Sequence, residues 1–393
     1  MSFGAHHSFH MKSIATITAF LVIFSSPLKA EEHDGLPYLL TDVIDTTNVE
    51  TLGLTMAAET KTITIFCPSD TTHHYANGVV MTAFKGTLYC MWQSSLTDED
   101  APETCAMMSK SVDEGMTWTR PELLASATDS SYCTSGGWIS TEETLTAFIN
   151  VWPKHMQPVG GYTYYMISKD GEAWSDPKPV MMADGQPMAG VIEQDPYPLP
   201  NGRVVGAAHF LPGLHVNPIF TDDPTGRSGW QKAEFNGHDK GKQSQELEPS
   251  LYQQQDGTLV MMFRDQNSSY RKMASLSHDG GKTWTEPIVT NIPDARMKQS
   301  AGNLPDGTAY LVGCPTGSKR RYPLVALISD DGIRFDKAIL LRAGGSDLQP
   351  QRYPGKAKTI GYSYPKSMVY NDKLYVCYST NKEEVECTII SIK

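Results

Sequence analysis

Short runs in which apolar and polar residues alternate recur along most of the chain, and they are rich in β-branched and aromatic side chains. Examples are residues 86–92, 258–263 and 373–378, which begin at or just after turns such as Lys85-Gly86 and Asp256-Gly257. A period of two beside such turns predicts antiparallel strands joined by hairpins. Because no long segment has the three-to-four-residue apolar period of an amphipathic helix, the pattern predicts an all-β fold.

A second pattern, S-x-D-x-G-x-T-W, accompanies the strands, and residues 277–284 are its clearest copy. The aspartate can bond the backbone two residues on, glycine tolerates a positive φ, and the tryptophan begins the next strand with a large apolar side chain. We interpret each copy as a structural turn with a buried aromatic residue, not as a catalytic group. Further copies, complete or degenerate, occupy residues 111–118, 168–174, 221–230 and 329–335.

The copies recur about every 54 residues, which indicates a stacked or circular repeat architecture. A unit of this length with four strands is typical of one propeller blade. Residues 61–67 form a lone strand ahead of the first unit, and we expect it to join the last blade and close the ring. The sequence predicts a six-bladed β-propeller as a single catalytic domain over residues 31–393, although residues 31–60 leave room for a seventh blade.

The chain has 393 residues and a formal net charge of −11, which disfavours a general nucleic-acid-binding protein. A few cations in a cleft could still bind an anionic ligand. Residues 1–30 have a pattern typical of a signal peptide: a basic residue, Lys12, then the apolar run 14–24, then Ala30. The apolar run is too short to span a membrane. We therefore predict an exported protein, periplasmic or secreted, without a membrane span.

The cysteines and histidines give no sign of a metal site. The seven cysteines form no C-x-x-C pair. His73 and His74 are adjacent in sequence and do not have the H-x-H or H-x-x-x-H spacing that is typical of metal ligands. We expect a monomer that needs neither a metal nor a cofactor.

In a propeller, the loops that lead into the innermost strands line one face around the axis, so we expect the chemistry there. His73 and His74, next to Tyr75, could supply a base or a hydrogen-bond donor. Arg264 ends an apolar strand and requires an anionic partner or ligand. Trp138 fits either a sugar-stacking role or the core. Together with these residues, the candidates for binding an anionic sugar are His155, Gln194, His209, Arg320 and Arg321.

Over residues 61–393 the chain resembles the sialidase-like propellers with Asp-box repeats. In that family three arginines bind the substrate carboxylate, a Tyr–Glu pair forms the nucleophile, and an aspartate is the acid/base. The resemblance implies these roles for Asp100 as acid/base, Glu248 as the glutamate, Arg264 as the second arginine, Arg320 or Arg321 as the third, and Tyr364 or Tyr362 as the nucleophile. The first arginine has no counterpart, because residues 73–77 replace its signature.

The His73-His74-Tyr75 segment and residues 84–89 are similar to propeller enzymes that act on uronate glycans, such as ulvan lyases and rhamnosyl-glucuronate lyases. This resemblance implies β-elimination, with His74 and Tyr364 as base and acid in either order, beside arginines that neutralise the uronate carboxylate. Our first hypothesis is an exported enzyme that cleaves or dehydrates a uronate-containing poly- or oligosaccharide. The alternatives are an exo-acting retaining hydrolase that uses Tyr364, Glu248 and Asp100, and a non-catalytic glycan-binding propeller.

Overall fold

The computed structural model describes residues 35–392, except residues 158, 212–214 and 238–245. The predicted signal peptide, residues 1–30, lies outside the described residues, so export stays a prediction. From Gly35 onward the chain forms one compact unit. No helix in the described part is long and apolar enough to cross a membrane.

Six antiparallel sheets, named blades 1 to 6 in chain order, make up this unit, and consecutive strands pair within each sheet. From the axis outwards, the strands of blade 1 are Tyr75–Phe84, Thr87–Ser95, Cys105–Ser111 and Glu122–Ala125. Those of blade 2 are Ser131–Ser140, Leu145–Pro153, Tyr162–Ser168 and Lys178–Pro179. Blade 3 has a divided inner position, Gly190–Val191 and Tyr197–Pro198, followed by Val204–Phe210, His215–Thr221 and Gln231–Lys232.

Blades 4 to 6 follow the same plan. The strands of blade 4 are Glu246–Gln253, Leu259–Asp265, Arg271–Ser277 and Ile288–Pro293. Those of blade 5 are Ser300–Asn303, Ala309–Gly313, Leu324–Ser329 and Lys337–Arg342. Blade 6 contains Tyr362–Tyr370, Lys373–Thr380, Glu384–Ser391 and, as its outermost strand, Lys61–Phe66.

The N-terminal strand closes the ring, as the sequence predicted. Lys61–Phe66 pairs antiparallel with Glu384–Ser391, so the last blade combines three C-terminal strands with one strand from near the start of the described chain. The number of blades is therefore six. The described residues 35–60 do not add a seventh blade: Tyr38–Leu39 instead pairs in parallel with Arg334–Phe335 beside blade 5. The described part contains one short 3₁₀ helix, Gly345–Asp347.

The repeated turns lie between the third and fourth strands of the blades, away from the axis. In blade 4, Asp279 accepts hydrogen bonds from the backbone amide of Thr283 at 3.0 Å and from its hydroxyl at 2.7 Å. The Trp284 indole donates to the Gly281 carbonyl at 3.0 Å and is 1% exposed. Because the aspartate is used to hold its own turn, the structural interpretation of these carboxylates is confirmed.

We predict that Trp284→Ala lowers the free energy of unfolding by about 3–5 kcal/mol, because it leaves a cavity where blades 3 and 4 pack together. Trp284→Phe should lose clearly less, since Phe335 fills the same position in the blade 5 turn and is fully buried. Urea unfolding measures both losses. Val112→Ala, at a side chain that is 81% exposed, is the control and should change stability by less than about 0.5 kcal/mol. Equal losses for Trp284→Ala and the control would contradict the packing role.

Candidate active site

The innermost strands of blades 1, 2, 4 and 6 carry a β-bulge towards the end that forms the functional face, and the bulge of blade 2 lies between Ser135 and Gly137. The pairing register shifts between Asn77 and Val80 in blade 1, between Leu247 and Ser250 in blade 4, and between Ser363 and Lys366 in blade 6. A bulge inserts an extra residue and changes the direction of the side chain that it carries. In blades 4 and 6 the inserted residues are Glu248 and Tyr364, each with a φ of 55°. Such left-handed non-glycine residues cost roughly 1–3 kcal/mol and are concentrated at functional sites.

The bulged residues line a cavity of about 260 Å³ near the axis, between loops of the same face. Three of the residues that we predicted to be catalytic meet here: Glu248, Tyr364 and Asp100. The wall opposite is aromatic, because Tyr132 and Trp152 stack with ring centroids 6.1 Å apart. The remaining lining residues are Gly78, Gln93, Glu99, Thr134, Ser135, Val159, Glu193 and Lys298.

Glu248, Arg264 and Tyr364 form one hydrogen-bonded group. The Arg264 Nη1 donates to both carboxylate oxygens of Glu248, at 3.1 and 3.0 Å, and lies 3.2 Å from the Tyr364 hydroxyl. Burial raises the pKa of Glu248, but Arg264, a hydrogen bond from Tyr364 and nearby Lys298 outweigh burial and bring the pKa down to about 2. Glu248 is thus a carboxylate beside a buried phenol, with a guanidinium fixing both.

Three further cations surround the Tyr364 ring. The Arg321 guanidinium lies 5.5 Å from the ring centroid, the Lys382 ammonium 5.5 Å and the Lys298 ammonium 5.7 Å. Burial and the neighbouring Glu248 raise the pKa of Tyr364 well above 10, whereas Arg264 and Arg321 act in the opposite direction. The phenol is therefore neutral in the resting site, and positive charge is available to stabilise it if it loses its proton.

The pKa of Asp100 is raised, whereas that of Glu248 is lowered. The residue is accessible at the mouth of the cavity, yet protein atoms crowd its carboxyl and limit its hydration. This burial, followed by the like charges of Glu99 and Glu193, raises the pKa of Asp100 to about 6, and Lys382 only partly offsets the effect. One carboxyl group with a pKa of about 6 beside another with a pKa of about 2 is the arrangement that separates a general acid from a permanent anion.

Glu99 is not available as a general acid, because other side chains bind its carboxylate. Its carboxylate accepts hydrogen bonds from the Tyr75 hydroxyl at 2.5 Å and from the Asn77 amide at 3.3 Å, and Lys382 contacts both of its oxygens at 2.9 Å. Lys382 comes from the turn between the second and third strands of blade 6. It places a cation beside the start of the first inner strand, where the sequence lacks the family's first arginine.

Two alternatives that the sequence left open are decided by the structure. Tyr364 contacts Arg264, whereas the Tyr362 hydroxyl donates to the Ala343 carbonyl within the core. Arg321 lies over the Tyr364 ring and donates to the Ser363 hydroxyl at 2.9 Å, whereas Arg320 turns back to the Tyr322 carbonyl. Tyr364 and Arg321 therefore belong to the site. Gln194 and His209 are buried beneath it and contact neighbouring backbone groups instead of the cavity.

The two histidines that precede Tyr75 do not lie with this group. His74 stacks on Tyr353 with ring centroids 3.7 Å apart, and its Nε2 lies 3.1 Å from the Ser69 carbonyl. His73 bonds the Ser94 hydroxyl and lines a separate cavity between blades 1 and 6. The physical reason is that the inner strand begins only at Tyr75, so the preceding histidines are directed over the rim.

Two other predicted sugar contacts also lie elsewhere. Trp138 is 2% exposed, donates to the Val80 carbonyl and packs against Trp174 between blades 1 and 2, so it belongs to the core. His155 is exposed in the turn that follows the second strand of blade 2. The aromatic wall of the cavity is instead Tyr132 with Trp152.

The sequence reasoning missed Lys298 and Lys382 as members of the site. Lys298 lies two residues before the inner strand of blade 5, and that position could have identified it. Lys382 has no local signal, because a lysine in a hairpin turn is normally solvated, whereas here its side chain is 4% exposed.

The sequence profile of the BNR repeat-like domain family matches residues 86–376. No curated protein sequence has significant similarity to the chain. Solved structures that are similar to the chain include a protein of unknown function from Dyadobacter fermentans. It is 17% identical, with a TM-score of 0.64 over 86% of this chain and 100% of that one.

Two sialidase-type enzymes share the fold as well. The Trypanosoma rangeli sialidase is 14% identical, with a TM-score of 0.63 over 85% of this chain and 60% of that one. The intramolecular trans-sialidase from Ruminococcus gnavus is 15% identical, with a TM-score of 0.58 over 87% of this chain and 98% of that one. At these identities the likeness establishes a sialidase-like propeller fold, which confirms the predicted fold class, and these two structural neighbours are glycan-processing enzymes.

We predict that Asp100 titrates near pH 6 and that Glu99→Gln moves its pKa downwards. The substitution removes a like charge and leaves Lys382 without its carboxylate partner, and both effects favour ionised Asp100. Carbon-detected NMR of labelled aspartate carboxyls measures the shift. Asp113, whose pKa is lowered to about 2 by hydrogen bonds from Thr117 in a distant turn, is the internal control. An Asp100 pKa that Glu99→Gln leaves unchanged would contradict the described electrostatics.

Proposed function

The chain belongs to the family of BNR repeat-like domains, and on this premise we propose that it is an exo-acting retaining glycosidase for a terminal anionic sugar. Tyr364 is the nucleophile, Glu248 receives its proton, and Asp100 is the acid/base. The observation that carries the proposal is the Arg264–Glu248–Tyr364 group, which meets Asp100 in a single cavity. Sialidases are glycosidases that use a tyrosine nucleophile.

In the first step, the Tyr364 oxygen forms a bond to the anomeric carbon as the glycosidic bond breaks. Glu248 accepts the phenolic proton, and Asp100 gives its proton to the departing oxygen. Glu248 is a weak base, but the phenol becomes strongly acidic as its oxygen bonds to carbon, so a fixed carboxylate in contact suffices. In the second step, Asp100 takes a proton from water, whose oxygen attacks the same carbon as the bond to the Tyr364 oxygen breaks. Glu248 returns its proton to the Tyr364 oxygen, and the sugar leaves with retained configuration.

The charges favour an anionic sugar. Among the described residues, Arg321 bonds the Ser363 hydroxyl and Lys298 the Glu193 backbone carbonyl, so neither cation is neutralised by a carboxylate in direct contact. A carboxylate or sulfate of the ligand would supply that partner. A neutral phenol also approaches such a substrate without the repulsion that a carboxylate nucleophile would meet.

The size of the cavity favours cleavage at a chain end. A volume of about 260 Å³ is below the roughly 300–1,000 Å³ of pockets that enclose drug-sized ligands, so it suits one sugar unit. Tyr132 and Trp152 offer an aromatic wall to the apolar face of the ring. Elimination from a uronate ranks second, because its predicted base, His74, is stacked on Tyr353 instead of facing the phenol.

We predict that the protein releases a terminal anionic sugar from an aryl glycoside panel containing sialic acid, glucuronic acid and neutral sugars. Tyr364→Phe should abolish release, because the attacking oxygen is absent. Asp100→Asn should slow cleavage about 10²- to 10⁴-fold for a poor leaving group and much less for a nitrophenolate, which needs no proton. Fluorescence or absorbance gives the rates, and NMR of the first-formed anomer gives the stereochemistry.

His74→Ala separates the two mechanisms. Hydrolysis predicts nearly full activity for this variant, whereas elimination through His74 predicts its loss together with ultraviolet absorbance from an unsaturated uronate in the wild type. Appearance of that absorbance, or an inverted first product, would overturn the proposed hydrolysis.

The pH profile of kcat/KM should show a basic limb near pH 6 and an acidic limb near pH 2. Activity falls as pH rises through about 6 because Asp100 loses the proton that the leaving group needs. It falls as pH drops through about 2 because Glu248 becomes protonated. Rate measurements with a poor leaving group test this, and Asp100→Asn should remove the basic limb. A basic limb that persists in that variant would contradict the assignment of Asp100.

A further inference from the structure

The backbone of Glu248 is bonded on both sides by side chains from neighbouring blades. Its N–H donates to Nε2 of His209, from blade 3, at 3.3 Å. Its carbonyl accepts a hydrogen bond from Nε2 of Gln299, which directly precedes the blade 5 inner strand, at 3.0 Å. Glu248 is the inserted residue of the bulge, so these bonds hold the peptide groups that set the direction of its carboxylate.

Gln299 is itself fixed by a buried charged pair. Its Oε1 accepts a hydrogen bond from the Lys272 ammonium at 2.7 Å, and Lys272 also contacts Asp294 at 2.7 Å and donates to the Met297 carbonyl at 2.9 Å. Because Lys272 can only donate, it determines which end of the Gln299 amide faces it. The amide nitrogen must then face Glu248, where it also donates to the Met262 carbonyl at 2.8 Å.

His209 is fixed in one tautomer by the same logic. Since Nε2 accepts from the Glu248 amide, the imidazole proton resides on Nδ1, which lies 3.8 Å from the Glu193 carboxylate. His209 is 4% exposed, and its Nδ1 has no hydrogen-bond partner in the described part of the chain. His209 thus accepts a hydrogen bond from the N–H of Glu248, and Gln299 donates one to its carbonyl. Both backbone groups of a residue with an unfavourable φ are therefore bonded.

We propose that His209 and Gln299 are positioning residues that hold Glu248 in its left-handed conformation and so keep its carboxylate against Arg264 and Tyr364. A return of Glu248 to a negative φ would break both bonds inside a buried site, and buried unpaired backbone groups are unfavourable. The structural part of this inference is independent of the reaction, whereas its catalytic consequence rests on the proposed function.

The experiment compares Gln299→Met and His209→Phe, which retain bulk but lose the bonds, with His209→Gln, which keeps an acceptor. Asn303→Leu is the matched control. Asn303 bonds both backbone groups of Gln253 at the far end of the same strand, accepting from its N–H at 2.8 Å and donating to its carbonyl at 2.7 Å. It therefore makes the same kind of contact without touching the site.

We expect kcat on the best glycoside to fall about 10- to 100-fold in Gln299→Met and His209→Phe, with little change in KM, because a displacement of about 1 Å is enough to lose this rate. His209→Gln should recover most of the rate. Asn303→Leu should lose stability but keep kcat. Crystal structures of the first two variants should show residue 248 out of the left-handed region or its carboxylate displaced from Arg264.

Unchanged Glu248 geometry in both crystal structures, or unchanged kcat in both variants, would overturn the inference. Failure of His209→Gln to recover more rate than His209→Phe would do the same for the histidine. If Gln299→Met does not fold, the two His209 variants still test whether a neighbouring side chain positions Glu248. If the wild type cleaves no glycoside, the proposed function fails, and the crystal structures alone test whether His209 and Gln299 position Glu248.

Discussion

The rest of the structure depends on the pairing of Lys61–Phe66 with Glu384–Ser391. This pairing closes six sheets into a ring, so that blade 6 lies beside blade 1 and neither end of the sheet series remains open. Across this junction, the Ala76 amide bonds the Lys382 carbonyl at 3.0 Å and the Ser379 hydroxyl bonds Asn77 at 2.9 Å. The ion pair between Lys382 and Glu99 exists only because the ring is closed.

The functional face uses one backbone device repeatedly. In blade 1 the left-handed position of the bulge is Gly78, where an added Cβ would lie 2.9 Å from the Ser135 hydroxyl, so there is no room for a side chain. In blades 4 and 6 the corresponding positions are Glu248 and Tyr364, which need their side chains for the site. The strain of two non-glycine residues is tolerated where contacts from adjacent blades hold them, as His209 and Gln299 do for Glu248.

Electrostatics then separate the roles of chemically similar groups. Glu248 lies against a guanidinium and has a pKa of about 2, whereas Asp100 faces two other carboxylates and has a pKa of about 6. In a poorly hydrated cavity such neighbours act strongly, because water screens them less. Between about pH 2 and pH 6 the two carboxyl groups in one cavity are therefore in opposite protonation states, as the proposed acid/base and proton acceptor require.

The amino-acid sequence by itself determined the features that depend on local chemistry. The turns around Asp113 and Asp279, the strands that follow them, the closing strand and the Glu248–Arg264 pair all have signals within a few residues or one hairpin. Only the tertiary structure decided which side chains converge. Arg320 and Arg321 are adjacent and chemically equal, yet only one faces Tyr364, and Lys382 enters the site from a turn at the far end of the chain. Convergence depends on how neighbouring blades pack against each other and on the direction of each side chain, which no local pattern encodes.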